Sequence, residues 1–311
     1  MSDHPAAVDC LIVGGGPSGL TAALYLKRFQ RSILVVDGGE SRAAWIPESH
    51  NIPFFSHGIS GKEILARERG HAAQYGVLAE PARVTEIRKE GGGFAATIEA
   101  PDGGTRQVSA RRVVLATGAV DVEPDLPDVP DAVRRGLVRY CPICDGYEAI
   151  GKRVAVIAKG SRGVGEAMFI RRTYCDDVTL LTLGVPMDLA AEQAAELREQ
   201  GVTVMEEPVV ALERDGDSIG ALRTTRQELR FDILYSALGL RYRSELGLAL
   251  GARHDDRQAL WVDEHCQTSV KGLYAIGDVV VGLDQIVVGM GQAALAATHI
   301  HNRCEYPTED E

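Results

Sequence analysis

A chain of 311 residues is longer than one hydrophobic core comfortably organises, and the length alone predicts two domains. Only 5% of it is aromatic while Gly numbers 34, an α/β composition; the formal charge of −11, without a basic cluster, argues against nucleic acid and anionic membrane as partners. No apolar run reaches bilayer length, and the N-terminus lacks the basic start and apolar core of a secretion signal, so a cytoplasmic protein is expected.

Residues 9–16 form a short apolar strand that runs straight into glycines. An apolar helical period follows from Pro17 to Gln30, and Ile33 to Val36 read as the next strand, closed by Asp37. This is a βαβ unit with Gly14-x-Gly16-x-x-Gly19 at its first turn. Gly14 permits the tight turn, Gly16 lets backbone N–H groups approach a pyrophosphate, Gly19 lets helix pack on strand, and Asp37 stands where a ribose hydroxyl is held. The pattern therefore predicts a nucleotide cofactor. Residues 45–60, rich in Pro, Ser, His and Gly, read as a loop, and Gly61 to Tyr75 as an amphipathic helix stopped by Gly76. From Val84 to Val114 a strand meander is expected, with turns at Gly91–Gly93 and Asp102–Gly104, ending in Ala116-Thr117-Gly118. Pro124, Pro127 and Pro130 among acids mark a crossing between domains.

Next comes Cys141-Pro142-Ile143-Cys144-Asp145-Gly146-Tyr147. Two cysteines at this spacing close a small disulfide ring, and one sulfur attacks what the other has joined to a partner. Pro142 suits the first position of a helix, which puts Cys141 at a helix N-terminus that favours a thiolate. Asp145 follows the second sulfur, placed to exchange a proton with a leaving thiolate. Half a zinc site and a buried inert pair stay open as alternatives. Zinc wants a second ligand pair, however, and Cys10, Cys175, Cys266 and Cys304 are scattered singly, so no metal is expected. In a cytosolic chain a CxxC is more often catalytic than structural, and redox chemistry is the preferred reading.

Beyond it, Arg153 to Ala158 is a strand followed by Gly160, Gly163 and Gly165, a helix from Glu166 to Tyr174 and a strand from Val178 to Leu183. A second βαβ unit suggests an internal duplication. Leu189 to Gln200 reads as helix, and strands recur to Leu240. From Gly272 an apolar strand feeds Gly277 and Asp278, and a small-residue helix runs from about Val287 to His301. Asp278 is placed to accept hydrogen bonds from the polyol linker of a flavin, with a surface turn acid as the plainer alternative.

In order, Gly14-Gly15-Gly16-Pro17-Ser18-Gly19, Ala116-Thr117-Gly118, Cys141-x-x-Cys144-Asp145-Gly146 and Gly272-x-x-Ala275-x-Gly277-Asp278 resemble the low-molecular-weight thioredoxin reductase family, FAD-dependent flavoproteins of the pyridine-nucleotide disulfide oxidoreductase group. The likeness covers essentially the whole chain. It implies an α/β protein of two Rossmann-like, three-layer domains, the second inserted into the first. An FAD domain of residues 1–119 and 246–311 would enclose a central domain, 120–245, carrying the CxxC. By the same likeness Cys144 faces the flavin, Cys141 attacks the partner disulfide and Asp145 is the general acid. FAD would be contacted by Gly14, Gly16, Pro17, Ser18, Gly19, Asp37, Gly38, Asn51, Val84, Thr117, Gly118, Gly277, Asp278, Gln285 and Ile286. A homodimer is implied, with a thioredoxin-like protein or a small dithiol or disulfide as partner.

The central domain departs from the family in its nucleotide site. Where the family has GxGxxA, this chain has Ala158-Lys159-Gly160-Ser161-Arg162-Gly163, so the first glycine is lost and Gly160, Ser161 and Gly163 form a degenerate turn. The His-Arg-Arg cluster that the family uses for the 2′-phosphate is replaced by Thr182-Leu183-Gly184-Val185-Pro186. A dianionic phosphate without guanidinium forks loses its strongest specific contacts, and Asp188 comes too late to serve the ribose of NADH. Lys159, Arg162, Arg171 and Arg172 are nearby, although surface pairing is the commoner role of such residues. Asp284 stands where the family commonly has Arg, either near the flavin or as a solvated acid. The acidic tail from Asn302 reads as a mobile end, with Tyr306 as a possible cover for a flavin face. The sequence therefore predicts a flavin-dependent thiol–disulfide oxidoreductase with NADPH doubtful, whose remaining partner is a ferredoxin-like protein or oxygen. The alternatives are a conventional NADPH-dependent thioredoxin-disulfide reductase and a redox-sensing flavoprotein without turnover.

Overall fold

The computed structural model describes residues 7–124, 132–133, 138–187, 189–215 and 218–306. Pro127, Pro130, Asp188 and residues 307–311 lie outside the described residues, as do the side chains of Ser161 and Arg162. Contacts divide the chain into two compact units, one of Met1–Ala44, Gly61–Val120 and Arg241–Glu311, the other of Trp45–Ser60 and Asp121–Leu240. Trp45–Ser60 thus clusters with the second unit and not with the residues that flank it in sequence.

In the first unit, β1 (Ala7–Val13), α1 (Pro17–Arg28) and β2 (Ile33–Asp37) form the expected βαβ unit. α2 (Gly61–Ala73) leads to β3 (Ala79–Pro81), β4 (Arg83–Glu90), β5 (Gly93–Glu99) and β6 (Thr105–Leu115), and β7 (Ala119–Asp121) follows. Among the described residues the sheet has seven strands in the order β3-β2-β1-β6-β5-β4, with a late strand, Leu273–Ala275, also pairing with β6. β1, β2, β3 and the late strand run parallel, whereas β4, β5 and β6 form the antiparallel meander read from the sequence.

Both faces of this sheet are covered, which is why β1 and the end of β6 read as continuous apolar runs rather than as an alternation. On one face α1 packs against the long helix Ile286–Arg303 through Ala22, Ala23, Ala293, Ala296 and Ala297, with Leu26 and Ile300 beside them, all buried over Ile12 and Val114. A seam of alanines lets the two helix backbones approach closely. On the other face Leu11, Val13, Leu115 and Leu273 pack with the meander side chains Phe94, Ile98 and Val108. Each fully buried Leu, Ile or Phe contributes on the order of 2 kcal/mol of apolar burial.

The second unit contains β8 (Val138–Arg139), α3 (Pro142–Asp145), β9 (Arg153–Ile157), α4 (Gly160–Thr173), β10 (Asp177–Leu181), α5 (Ala191–Glu199) and β11 (Thr203–Met205). β12 (Val209–Asp215), β13 (Ser218–Thr224), β14 (Glu228–Leu229) and β15 (Ile233–Ser236) complete it. The sheet order β11-β10-β9-β15-β8 is parallel throughout, and β12, β13 and β14 make a separate antiparallel sheet. Helices cover one face through Ala167, Met168, Ile170 and Leu197, and Leu222 and Phe231 pack on the other beside Ile157 and Leu234. The chain then returns through β16 (Leu240–Tyr242) and α6 (Glu245–Ala249) to β17 (Leu273–Ala275) and α7 (Ile286–Arg303). The fold is α/β, with two Rossmann-like units, the second interrupting the first.

Two local expectations are revised. α4 begins at Gly160, not Glu166, so the degenerate glycine turn is the first turn of the helix itself. Gly163 is what allows this, since a Cβ there would lie 2.3 Å from the Ala158 Cβ at the strand end. The chain end is also held as far as Tyr306, whose carbonyl accepts from the buried Arg112 guanidinium at 2.9 Å.

Candidate active site

The first crevice is made by backbone. β1 leads into Gly14, whose φ of +114° side chains rarely adopt, and a Cβ there would lie 2.2 Å from the Ala116 carbonyl oxygen. A Cβ on Gly19 would lie 2.0 Å from the Gly14 carbonyl oxygen, so both turns of the loop demand glycine. Gly16 caps α1 in extended conformation and Pro17 takes the first helical position, where its missing N–H is no loss. The N–H groups that begin α1 are then available to an anion. The Asp37 carboxylate lies against Gly15, accepts from the Gly39 N–H at 3.1 Å and is 3.6 Å from the Arg69 guanidinium. Gly38 follows it beside Arg83.

Ser18 packs against Gly277, whose N–H donates to Gln292 at 2.7 Å, and against Gly289 of α7. Asp278 pairs with Arg42 at 3.1 Å, both half-buried. Gln285 is the buried N-cap of α7, Ile286 its first residue, and Asp284 is half-buried beside them. Thr117 donates to the Arg243 carbonyl, and Gly118 accepts from the Arg243 N–H at 3.0 Å. Val84 is buried in β4. Asn51 lies elsewhere, in the second unit, where its amide donates to the Ile143 carbonyl at 3.4 Å. A bare backbone loop at a helix start, with the Asp37 carboxylate against it and Gly277 packed on Ser18, fits a flavin dinucleotide.

In the second unit Cys141 and Cys144 form a disulfide, with Cα atoms 5.3 Å apart. Cys141 caps α3 in extended conformation, Pro142 is its buried first residue, and the Cys144 N–H closes the turn on the Cys141 carbonyl at 2.9 Å. Among the described residues no group of three or more His, Cys, Asp or Glu side chains is placed to hold a metal ion. The four other cysteines are buried thiols. Burial pushes Cys10, Cys266 and Cys304 upward, the latter two to about 11, so none is a nucleophile at neutral pH.

Asp145 has an environment that its sequence position did not reveal. Its Oδ1 accepts from the Tyr235 hydroxyl at 2.8 Å, and the Arg139 guanidinium donates to its backbone carbonyl at 3.0 Å while standing 3.6 Å from Oδ2. Burial raises the carboxyl above its ordinary range and nearby Glu148 adds to this, while Arg139, the Tyr235 hydrogen bond and His50 oppose it. A carboxyl raised in this way, on the residue after the second cysteine of a disulfide, is suited to exchanging a proton.

The parallel strands β10, β9 and β15 bring their carboxyl ends together, where a nucleotide would be met in such a sheet. Gly160 opens α4 with φ +62°, and Ser161 and Gly163 follow within its first turn. β10 ends in Thr182 and a tight reversal, with Leu183 at φ +55° and Gly184 at φ +85°. Glu206, absent from the sequence reading, accepts from the Met187 N–H at 2.7 Å and so sets a carboxylate against this loop. Arg171 and Arg172 pair with Asp176 and Glu196, the surface role expected of them.

Residues 8–293 match the pyridine nucleotide-disulphide oxidoreductase family. A thioredoxin reductase of Treponema pallidum is 29% identical over 304 residues, covering 93% of this chain and 94% of that protein. An oxidoreductase of Agrobacterium tumefaciens superposes with a TM-score of 0.81 at 27% identity, covering 97% of this chain and 99% of that one. The thioredoxin reductase of Streptococcus pyogenes, at 23% identity, shares the fold with a TM-score of 0.87 over 97% of this chain and 99% of its own. With its glycine loop and CxxC disulfide, the chain belongs to the pyridine nucleotide-disulphide oxidoreductase family, as an FAD-dependent disulfide oxidoreductase of thioredoxin reductase-like type.

Proposed function

We propose that electrons pass between FAD, the Cys141/Cys144 pair and the dithiol or disulfide of a thioredoxin-like protein or small molecule, without ordinary use of NADPH. The observation that carries this reading is the closed CxxC disulfide at the start of α3 with the shielded Asp145 carboxyl following it. FAD, when bound, supplies the two-electron couple for the dithiol. Gly14, Gly16, Pro17, Ser18 and Gly19 would hold its pyrophosphate, Asp37 and Gly38 its ribose, and Val84, Thr117, Gly118, Gly277, Asp278, Gln285 and Ile286 the remainder. Asn51 is assigned to FAD by family likeness, and its amide donates to the Ile143 carbonyl in the CxxC turn. Cys141, at the helix start, is the sulfur that exchanges with the partner; Cys144 is the sulfur that faces the flavin; Asp145 moves the proton.

The doubt about NADPH rests on the strand end after β10, which offers Leu183, Gly184 and the nearby Glu206 carboxylate where a 2′-phosphate needs cations. No step is therefore assigned to NADPH, and a ferredoxin-like protein or oxygen is the remaining redox partner. A conventional NADPH-dependent thioredoxin reductase is the second reading, supported by relatives named thioredoxin reductase. A cytoplasmic homodimer is part of the proposal. Cys144→Ser tests it. The variant keeps bound FAD and loses thiol–flavin electron transfer; a variant that transfers electrons as fast as the parent overturns the assignment.

A further inference from the structure

We propose that Tyr235 is a positioning residue for the CxxC chemistry, orienting the Asp145 carboxyl so that its proton reaches the departing sulfur. The proposal rests on the reading of Asp145 as the proton donor.

Strand register creates the arrangement. β15 and β8 are parallel neighbours in which Tyr235 is the direct partner of Arg139, so the two side chains stand side by side on one face. β8 feeds within two residues into the CxxC turn, and the residue that ends α3, Asp145, sits over this pair. Tyr235 has no solvent exposure, and a buried phenol needs a hydrogen-bond partner. It donates to Asp145 Oδ1 at 2.8 Å and reaches the Asp145 carbonyl at 3.3 Å. With Oδ1 engaged as acceptor, Oδ2 is the oxygen left to carry the proton. Arg139 anchors the Asp145 backbone and is too far from Oδ2, at 3.6 Å, for a hydrogen bond. The other charged groups facing this carboxyl are Glu148, from the turn after α3, and His50, from the 45–60 loop.

The step begins from the disulfide as it stands. A dithiol's thiolate attacks Cys141 Sγ; a new S–S bond forms, the Cys141–Cys144 bond breaks, and the electron pair leaves on Cys144 Sγ, which takes the proton from Asp145 Oδ2. The dithiol's second sulfur, as thiolate, then attacks the first. Its ring closes as a disulfide, and Cys141 leaves as a thiolate, so the dithiol is oxidised and the CxxC pair reduced. The Tyr235 hydrogen bond steadies the carboxylate that Asp145 becomes between these events.

The test uses the FAD-loaded protein and dithiothreitol under anaerobic conditions, with stopped-flow bleaching of the flavin followed from pH 5 to 9. The falling limb that reports loss of the Asp145 proton moves upward by about one pH unit in Tyr235→Phe, because a donor to the carboxylate has been removed and the acid's dissociation constant falls about tenfold. If Tyr235→Phe does not fold, a fluorotyrosine at position 235, a stronger hydrogen-bond donor, moves the limb downward, and an unmoved limb there refutes the proposal. The limb set by the dithiol's own ionisation is common to all variants. A rate lowered equally at every pH in Tyr235→Phe, with the limb unmoved, refutes the positioning role. Asp145→Asn abolishes the limb; if the limb survives there, the reading of Asp145 as the acid fails, an outcome distinct from failure at Tyr235.

Discussion

Glu68 is an unusual group on α2, and replacing it should stabilise the protein in a pH-dependent way. Both of its carboxyl oxygens are shielded from solvent without a hydrogen bond of normal geometry, beside Thr21 of α1. Burial, the largest cause, pushes its pKa from 4.5 to about 8. The folded value lies above the unfolded one, so the folded state prefers the protonated form. The burden is absent below about pH 4.5, grows as pH rises, and is complete above about pH 8. At about 1.4 kcal/mol per pH unit between 4.5 and 7, the proton that the carboxyl must take up on folding costs on the order of 3 kcal/mol at neutral pH. Glu68→Met, unbranched and favourable in helices, removes the charge without leaving an unsatisfied amide. Urea unfolding of the FAD-loaded protein should show the variant more stable by about 4 kcal/mol at pH 8, with the gain shrinking to below about 1 kcal/mol at pH 5. A difference that stays constant from pH 5 to 8 would refute the reasoning, because a packing effect does not titrate.

Two further substitutions probe the first crevice and its support. Gly19→Ala places a Cβ about where the Gly14 carbonyl oxygen stands, so the loop must shift and the purified variant should be nearly colourless, as flavin absorbance per chain will show. Ala296→Leu forces extra volume into the alanine seam between α1 and α7 and should lower stability by roughly 1–3 kcal/mol in the same urea assay; an unchanged midpoint would mean the helices are not closely packed there.

The parts of the fold that were legible in sequence are those where backbone chemistry forces residue type. Gly14 and Gly19 must be glycine because carbonyl oxygens occupy the space a Cβ would need, and Pro142 suits the start of α3 for want of an N–H. The meander from β4 to β6 was legible because glycine turns interrupt β-rich runs. Features that depend on which strands become neighbours were not. Tyr235 reads in sequence as another apolar strand residue, and only the β15–β8 register brings it to Asp145, 90 positions away. Arg42 on Asp278 and Glu206 on the loop after β10 are likewise tertiary pairings. The start of α4 was misplaced because glycines were read as loop, when close packing of Gly163 on Ala158 carries them into the helix. Segment 45–60 gave no local sign that it clusters with the CxxC unit.

The most direct measurement is an anaerobic titration of the yellow protein, with NADPH, NADH and dithiothreitol added separately while the oxidised flavin band is followed. The account predicts that the dithiol bleaches the flavin through Cys141 and Cys144 and that neither nucleotide does so at a comparable rate. Rapid bleaching by NADPH would contradict it and identify the crevice at Gly160 and Thr182 as a working nucleotide site with a rebuilt phosphate pocket.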